Sequence, residues 1–318
     1  MKKNLSILLF SMLMIMGTLI TLSSNNWIMM WMGLEMNMIS FLPLIQSFKS
    51  TKSSEASMIY FLIQSLGSMM LMFSVTVQNP IMMITKMAIL IKMGGAPTHF
   101  WMVEVMEKMP WMNCLILMTW QKLAPMIMMM QMSKLMELAM ISIMVGAIGG
   151  LNQISMRKMM AFSSINHMGW MMATMEIKTL SLIKYLIIYT ILMVMLILTL
   201  NQKSIMYMNQ MNENLSKMQK INISVMMMSM GGLPPFLGFS AKWIIIQEMI
   251  SAKMNLMVTM MIMFSMITLF FYLRMISTLM MMESYSMKIN IKTDTQKSEL
   301  YMMMMNMFML PMSALMLI

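Results

Sequence analysis

Lys92-Met93-Gly94-Gly95-Ala96-Pro97 lies within an apolar run over 81–106, and Gly231-Gly232-Leu233-Pro234-Pro235 lies within another over 221–252. Proline removes a backbone donor and glycine admits unusual dihedrals, so each cluster breaks a helix and frees backbone groups. At bilayer depth, such groups survive only against protein or water. Working outward from the two breaks gives eleven apolar segments, at about 5–23, 27–47, 56–78, 81–106, 110–131, 135–151, 156–176, 179–200, 221–252, 254–282 and 300–318. The breaks fall on the fourth helix of two successive five-helix units. Five is odd, so the second unit is expected to run inverted in the membrane. Paired broken helices in inverted repeats build many ion transporters. An ordinary proline kink would explain either cluster alone, but Gly-Gly-X-Pro at both sites favours a repeat. The expected fold is all-α, a polytopic transmembrane bundle forming one membrane domain over 1–318. Repeat one covers about 1–131, repeat two about 135–282, and a C-terminal helix about 300–318.

Composition agrees with a membrane chain. Of 318 residues, 59% are hydrophobic and 10% charged, and the mean hydropathy is +0.74. A soluble domain carries about 25% charged residues, so there is too little polar surface here to face water. The 67 methionines are flexible apolar fillers. Their number points to coding rather than chemistry: an AT-rich mitochondrial genome that reads AUA as Met would produce it. The single cysteine, Cys114, excludes an internal disulfide and any four-cysteine metal site within the chain. The start, Met1-Lys2-Lys3 and an apolar run, imitates a signal peptide. It lacks a small-x-small cleavage site and is long enough to span, so it reads as a retained first helix.

The net charge of +11 would suggest nucleic acid in a soluble protein. Here it is an orientation signal. With eleven spans, the N-terminal side receives Lys2, Lys3, Lys49, Lys52, Lys108, Arg157, Lys158, Lys203, Lys217, Lys220, Lys288, Lys292 and Lys297. The other side receives Lys134, Lys178 and Lys253. That asymmetry puts the N-terminus on the basic side and the C-terminus opposite.

Ionisable groups inside the spans cost roughly 2.5–3.5 kcal/mol or more at the bilayer centre, so they mark candidate function. Glu35 lies about eight residues into the second segment. Lys92 stands just before the first break, Lys122 near the middle of the fifth segment, and Lys242 after the second break. Lysine suits a proton relay, because burial favours the neutral amine and a nearby carboxylate favours the charged one. The alternatives are a static helix–helix hydrogen bond for Glu35 and snorkelling for the lysines. His99 either titrates or satisfies backbone freed by the break, and His167 is either a relay or structural. Glu104, Glu107, Lys86, Lys134 and Glu137 read as interfacial, and Trp27, Trp31 and Trp111 as interface anchors. No phosphate-binding loop, dinucleotide fingerprint or metal-spaced His/Cys cluster is present in the sequence.

Several stretches together resemble a known family. They are Trp31-Met32-Gly33-Leu34-Glu35-Met36-Asn37-Met38, Lys92 through Trp101, Thr119-Trp120-Gln121-Lys122-Leu123-Ala124-Pro125, Gly149-Gly150-Leu151-Asn152-Gln153, Ser163 through Trp170, and Gly231 through Pro235. In order and extent they are similar to the subunit 2 family of mitochondrial NADH dehydrogenases, antiporter-like membrane subunits of respiratory complex I. The resemblance implies proton translocation coupled to electron transfer from NADH to ubiquinone. Within it, Glu35 matches the glutamate paired with the channel lysine, Lys92 that lysine, Lys122 the central-axis lysine, and Lys242 the lysine at the second broken helix. It implies no cofactor in this chain, with NADH, FMN, iron–sulfur clusters and ubiquinone on other subunits. Expected partners are other complex I membrane subunits, including neighbouring antiporter-like ones, and lipids such as cardiolipin, but no nucleic acid. The expected location is the mitochondrial inner membrane, with the N-terminus on the matrix side and the C-terminus on the intermembrane-space side. A stand-alone cation/proton antiporter and a purely structural membrane subunit that anchors its neighbours without carrying protons are the competing readings.

Overall fold

The computed structural model describes residues 2–47, 50–77, 82–208, 210–213 and 217–285. The chain divides into two compact units, Met1–Leu135 and Met136–Ile318. The expected helix over 300–318 lies outside the described residues.

The first unit contains α1 (Lys2–Ser23), α2 (Trp27–Gln46), α3 (Thr51–Thr76), α4 (Met82–Met93), α5 (Phe100–Lys108), α6 (Trp111–Met118) and α7 (Trp120–Met130). Ser50 and Ser53 exchange side-chain and backbone hydrogen bonds in a capping box that starts α3. α1 packs against α2, α2 against α3, and α3 against both halves of the broken helix. α7 packs against α1, α2 and α4. The 110–131 segment, expected as one span, is interrupted at Thr119, and Pro125 sits inside α7 without a backbone donor.

The second unit contains α8 (Met136–Gly150), α9 (Met156–Ile177), α10 (Thr179–Gln202), the short α11 (Gln210–Glu213), α12 (Lys217–Gly231), α13 (Leu237–Ser251) and α14 (Asn255–Tyr285). α9 packs against α8, α10 and α13, while α14 packs against α8, α12 and α13. Part of the polar stretch 201–220 folds back, and Ser155 and Tyr207 form an antiparallel bridge.

Five helical stretches are long and apolar enough to cross a membrane unaided: Leu5–Ser23, Trp27–Gln46, Thr51–Thr76, Thr179–Gln202 and Asn255–Leu279. Their outer faces expose large apolar side chains such as Leu8, Met12, Leu62, Met69, Ile183 and Met263, as lipid contact requires. α9 has the length but not the composition, since it carries Arg157, Lys158, Asn166 and His167. It is enclosed instead: 18 of its 22 residues are buried. A helix surrounded by protein need not be apolar towards lipid, so polar residues collect there.

Both expected helix breaks are present, and both end the first half-helix in the same way. Gly94 (φ 71°) and Gly232 (φ 79°) adopt the left-handed conformation. Gly95 N–H donates to the Leu90 carbonyl and Gly94 N–H to Ile91; likewise Leu233 N–H donates to Met228 and Gly232 N–H to Ser229. These are Schellman caps, which need a residue tolerant of positive φ. They correct the register read from the sequence. The first glycine of Gly94-Gly95 corresponds to the second of Gly231-Gly232, so Pro97 corresponds to Pro235.

Candidate functional site

In the first unit the two expected partners meet. Lys92 Nζ stands 3.0 Å from Glu35 Oε1, with the side chains 3% and 19% exposed. α2 supplies the carboxylate at mid-helix and α4 supplies the amine in its last turn, immediately before the Gly94 cap. The cap leaves terminal carbonyls without helical donors, and neutral groups serve them. Trp101 Nε1 donates to the Ile91 carbonyl (3.0 Å) and Gln64 Nε2 to the Lys92 carbonyl (3.3 Å). The Lys92 ammonium is therefore left to the carboxylate.

Lys122, on α7, is 2% exposed. It lies between the interruption at Thr119 and Pro125, where the helical ladder is weakest. Its neighbour Gln121 donates through Nε2 to Asn37 Oδ1 at 3.2 Å. Asn37 is buried and lies two residues beyond Glu35 on α2. An amide bridge thus links the helix of Glu35 to the helix of Lys122. Sequence reading missed Asn37, Gln64, Trp101 and Gln121 as participants, although three of them lie inside the quoted motifs. Short amides in a membrane helix were the available signal.

In the second unit Lys242 is buried and donates to the Gly231 carbonyl at 2.7 Å. Its side chain packs over Gly232, where an added Cβ would come within 3.0 Å of Nζ. The amine therefore caps the negative end of α12. On the same helix as Lys242, Glu248 is half-buried, with its Oε2 enclosed.

His99 Nδ1 stands 3.2 Å from the Pro97 carbonyl, on the backbone freed by the first break. His167 Nδ1 stands 2.7 Å from the Tyr185 hydroxyl. Lys86 Nζ donates to the Lys134 carbonyl at 3.4 Å. Glu104 pairs with Lys108 at 3.0 Å on an exposed face, and Glu55 joins them at 3.4 Å. Two readings change. Trp111, taken as an interface anchor, is buried at 3% exposure, and Lys220, counted with loop charges, is buried at 7%. Each lies in the first turns of a helix end that turned out to be packed. Among the described residues no three His, Cys, Asp or Glu side chains gather as a metal site would require.

This arrangement has counterparts. The family model described as "NADH:quinone oxidoreductase/Mrp antiporter, TM" matches residues 24–79 and 77–268. The NADH-ubiquinone oxidoreductase chain 2 of Anopheles gambiae is 40% identical over 302 residues, covering 88% of this chain and 87% of the relative. That of Locusta migratoria is 42% identical over 294 residues, covering 86% and 85%, and that of Oryctolagus cuniculus 39% over 295, covering 86% and 85%. Among solved structures, a chain of respiratory complex I from Thermus thermophilus superposes with a TM-score of 0.78 at 19% identity, over 96% of this chain and 79% of that one. A chain of the Mrp complex from Dietzia superposes at 0.74 with 17% identity, over 85% and 59%. At these identities the two structures speak for the fold.

Proposed function

The chain belongs to the NADH:quinone oxidoreductase/Mrp antiporter family as a membrane subunit of NADH:ubiquinone oxidoreductase, and from that premise we propose that Glu35, Lys92, Lys122 and Lys242 carry its share of proton translocation. The observation that carries this reading is the Glu35–Lys92 pair at 3.0 Å, with its lysine buried and its glutamate half-buried. A pair of this kind is a switch. While the carboxylate is close, the ammonium keeps its proton; when the pair opens, a desolvated amine gives the proton up. In this scheme opening of the pair releases the proton towards Lys122, held on the adjoining α7. Lys242 serves the second unit, where loss of its proton would also loosen the α12 cap.

The redox chemistry belongs to other subunits, which would hold NADH, FMN, iron–sulfur clusters and ubiquinone. Neighbouring antiporter-like subunits and lipids are the proposed partners. The proposed location is the mitochondrial inner membrane with the N-terminus in the matrix, supported by the chain's basic asymmetry and its insect and mammalian relatives.

The test is Lys122→Met in the assembled complex. Protons moved per electron and coupled NADH oxidation should both fall. Unchanged stoichiometry would overturn the relay, and cation/proton exchange by the isolated chain in vesicles would favour the antiporter reading.

A further inference from the structure

Exposed methionines are common in this chain, and most face outward from apolar helices, as Met12, Met69 and Met263 do. Met206 differs. It is 42% exposed, and among the described residues it is the one methionine exposed outside a helix. It lies four residues beyond Gln202, where the apolar stretch Thr179–Gln202 ends, and within the polar stretch 201–220. Water rather than hydrocarbon therefore meets its thioether.

The residue is held in place at both its backbone and its side chain. Met156 N–H donates to the Met206 carbonyl at 3.0 Å and Met208 N–H to the Ile154 carbonyl at 3.4 Å, on either side of the Ser155–Tyr207 bridge. Met206 N–H donates in turn to Gln210 Oε1 at 2.8 Å. Ser155 makes no side-chain cap for α9, so the Met206 carbonyl serves one of the donors that a helix start leaves over. Arg157, the second residue of α9, donates from Nη2 to Met206 Sδ at 3.2 Å. A thioether is a weak acceptor, whereas a guanidinium makes its strong bonds to oxygen. The sulfur thus stands where an oxygen acceptor would suit its partner better.

We propose that Met206 is a reversible oxidation site, at which hydrogen peroxide converts the thioether to a sulfoxide and Arg157 holds the new oxygen. The sulfur lone pair attacks one peroxide oxygen, an S–O bond forms and the O–O bond breaks. The departing hydroxide takes the proton left on the transferred oxygen and leaves as water. Sulfur loses two electrons and peroxide gains them. A sulfoxide reductase reverses the change, with two thiols giving up the electrons and leaving as a disulfide. In an apolar core the added oxygen disrupts packing. Here the site is wet, and the oxygen gains a charge-assisted bond that the sulfur could not match. Oxidation therefore tightens the folded-back loop on the start of α9, as a peroxide-sensitive clasp. The clasp stands apart from the relay, since none of Glu35, Lys92, Lys122 and Lys242 lies in this loop.

The test treats membrane fragments holding the native complex with a low dose of hydrogen peroxide and maps the peptides by mass. Met206 should gain one oxygen before the lipid-facing Met12 and Met263, and sulfoxide reductase should remove it. Trypsin reads the loop through cleavage after Lys203. Oxidation should slow that cut on the order of fivefold, the lower end of what one stronger bond supplies, and reduction should restore it. Met206→Leu should hold the cut at the unoxidised rate with or without peroxide. Arg157→Leu should leave Met206 oxidisable but abolish the slowing. If Met206 oxidises no earlier than Met12 and Met263, the site is overturned. If it oxidises while the cut is unchanged or faster, or if the Arg157→Leu complex slows as the native one does, the clasp is overturned. The peroxide and trypsin measurements on the native complex need neither variant, so they decide even where a variant fails to assemble.

Discussion

The two helix breaks share one backbone device and use it differently. Each ends its first half-helix in a Schellman cap with a glycine at positive φ, and each leaves terminal carbonyls to be satisfied. At the first break two neutral donors, Trp101 and Gln64, do this, and Lys92 is free to pair with Glu35. At the second, Lys242 itself bonds the Gly231 carbonyl. The same residue type is therefore one half of an ion pair in one unit and a helix cap in the other. The two lysines also differ in place: Lys92 stands on the half-helix before its cap and Lys242 on the half-helix after its cap.

The largest expected effect comes from breaking the ion pair. Glu35→Leu leaves a buried ammonium without its counter-charge, which costs about 3–5 kcal/mol in comparable buried pairs. Assembled complex on a native gel should fall sharply. Glu35→Leu with Lys92→Met should restore assembly, because no charge is left stranded, yet pumping should stay lost. Recovery of pumping in the double variant would show the pair to be packing only.

At the second break the cap and the relay can be separated. Lys242→Met removes a charge-assisted hydrogen bond worth about 1.5–3 kcal/mol and should lower both thermal stability and pumping. Lys242→Gln keeps an N–H donor for Gly231 but cannot carry a proton. It should recover most of the stability and none of the pumping. Equal recovery of both would make Lys242 a cap and nothing more.

The smallest effect tests the shared device. Gly232→Ala forces a Cβ into the left-handed region, at about 1–2 kcal/mol, and against Lys242 at 3.0 Å. Gly231→Ala meets nothing nearer than 3.5 Å and gains helix propensity, so it should be nearly neutral. A thermal-shift comparison of the assembled complexes separates them. Equal losses would contradict the one-residue register shift between the breaks.

Glu35, Lys92, Lys122 and Lys242 were legible in the sequence because a charge inside an apolar run is costly and therefore conspicuous. The tyrosines of the second unit were not. Tyr185, for one, is amphipathic and reads as one more large residue in a membrane helix until its hydroxyl is seen 2.7 Å from His167 Nδ1. Asn37 and Gln121 were quoted within motifs but had no assigned work, since they are 84 residues apart and nothing local pairs them. Lys220 and Trp111 were misread for the same reason: burial at a helix end depends on what other segments cover it.

By itself the sequence determined that the chain is a polytopic bundle of membrane helices and that two of its helices break at glycine and proline. These are local matters, set by the cost of polar groups in hydrocarbon and by the backbone freedom of two residue types. Tertiary structure alone decided which amine meets a carboxylate, which glycine takes the left-handed cap, and which hydroxyl meets an imidazole. Those outcomes depend on the few ångströms that separate side chains from different helices, and hydrogen bonds and ion pairs fall away over that distance.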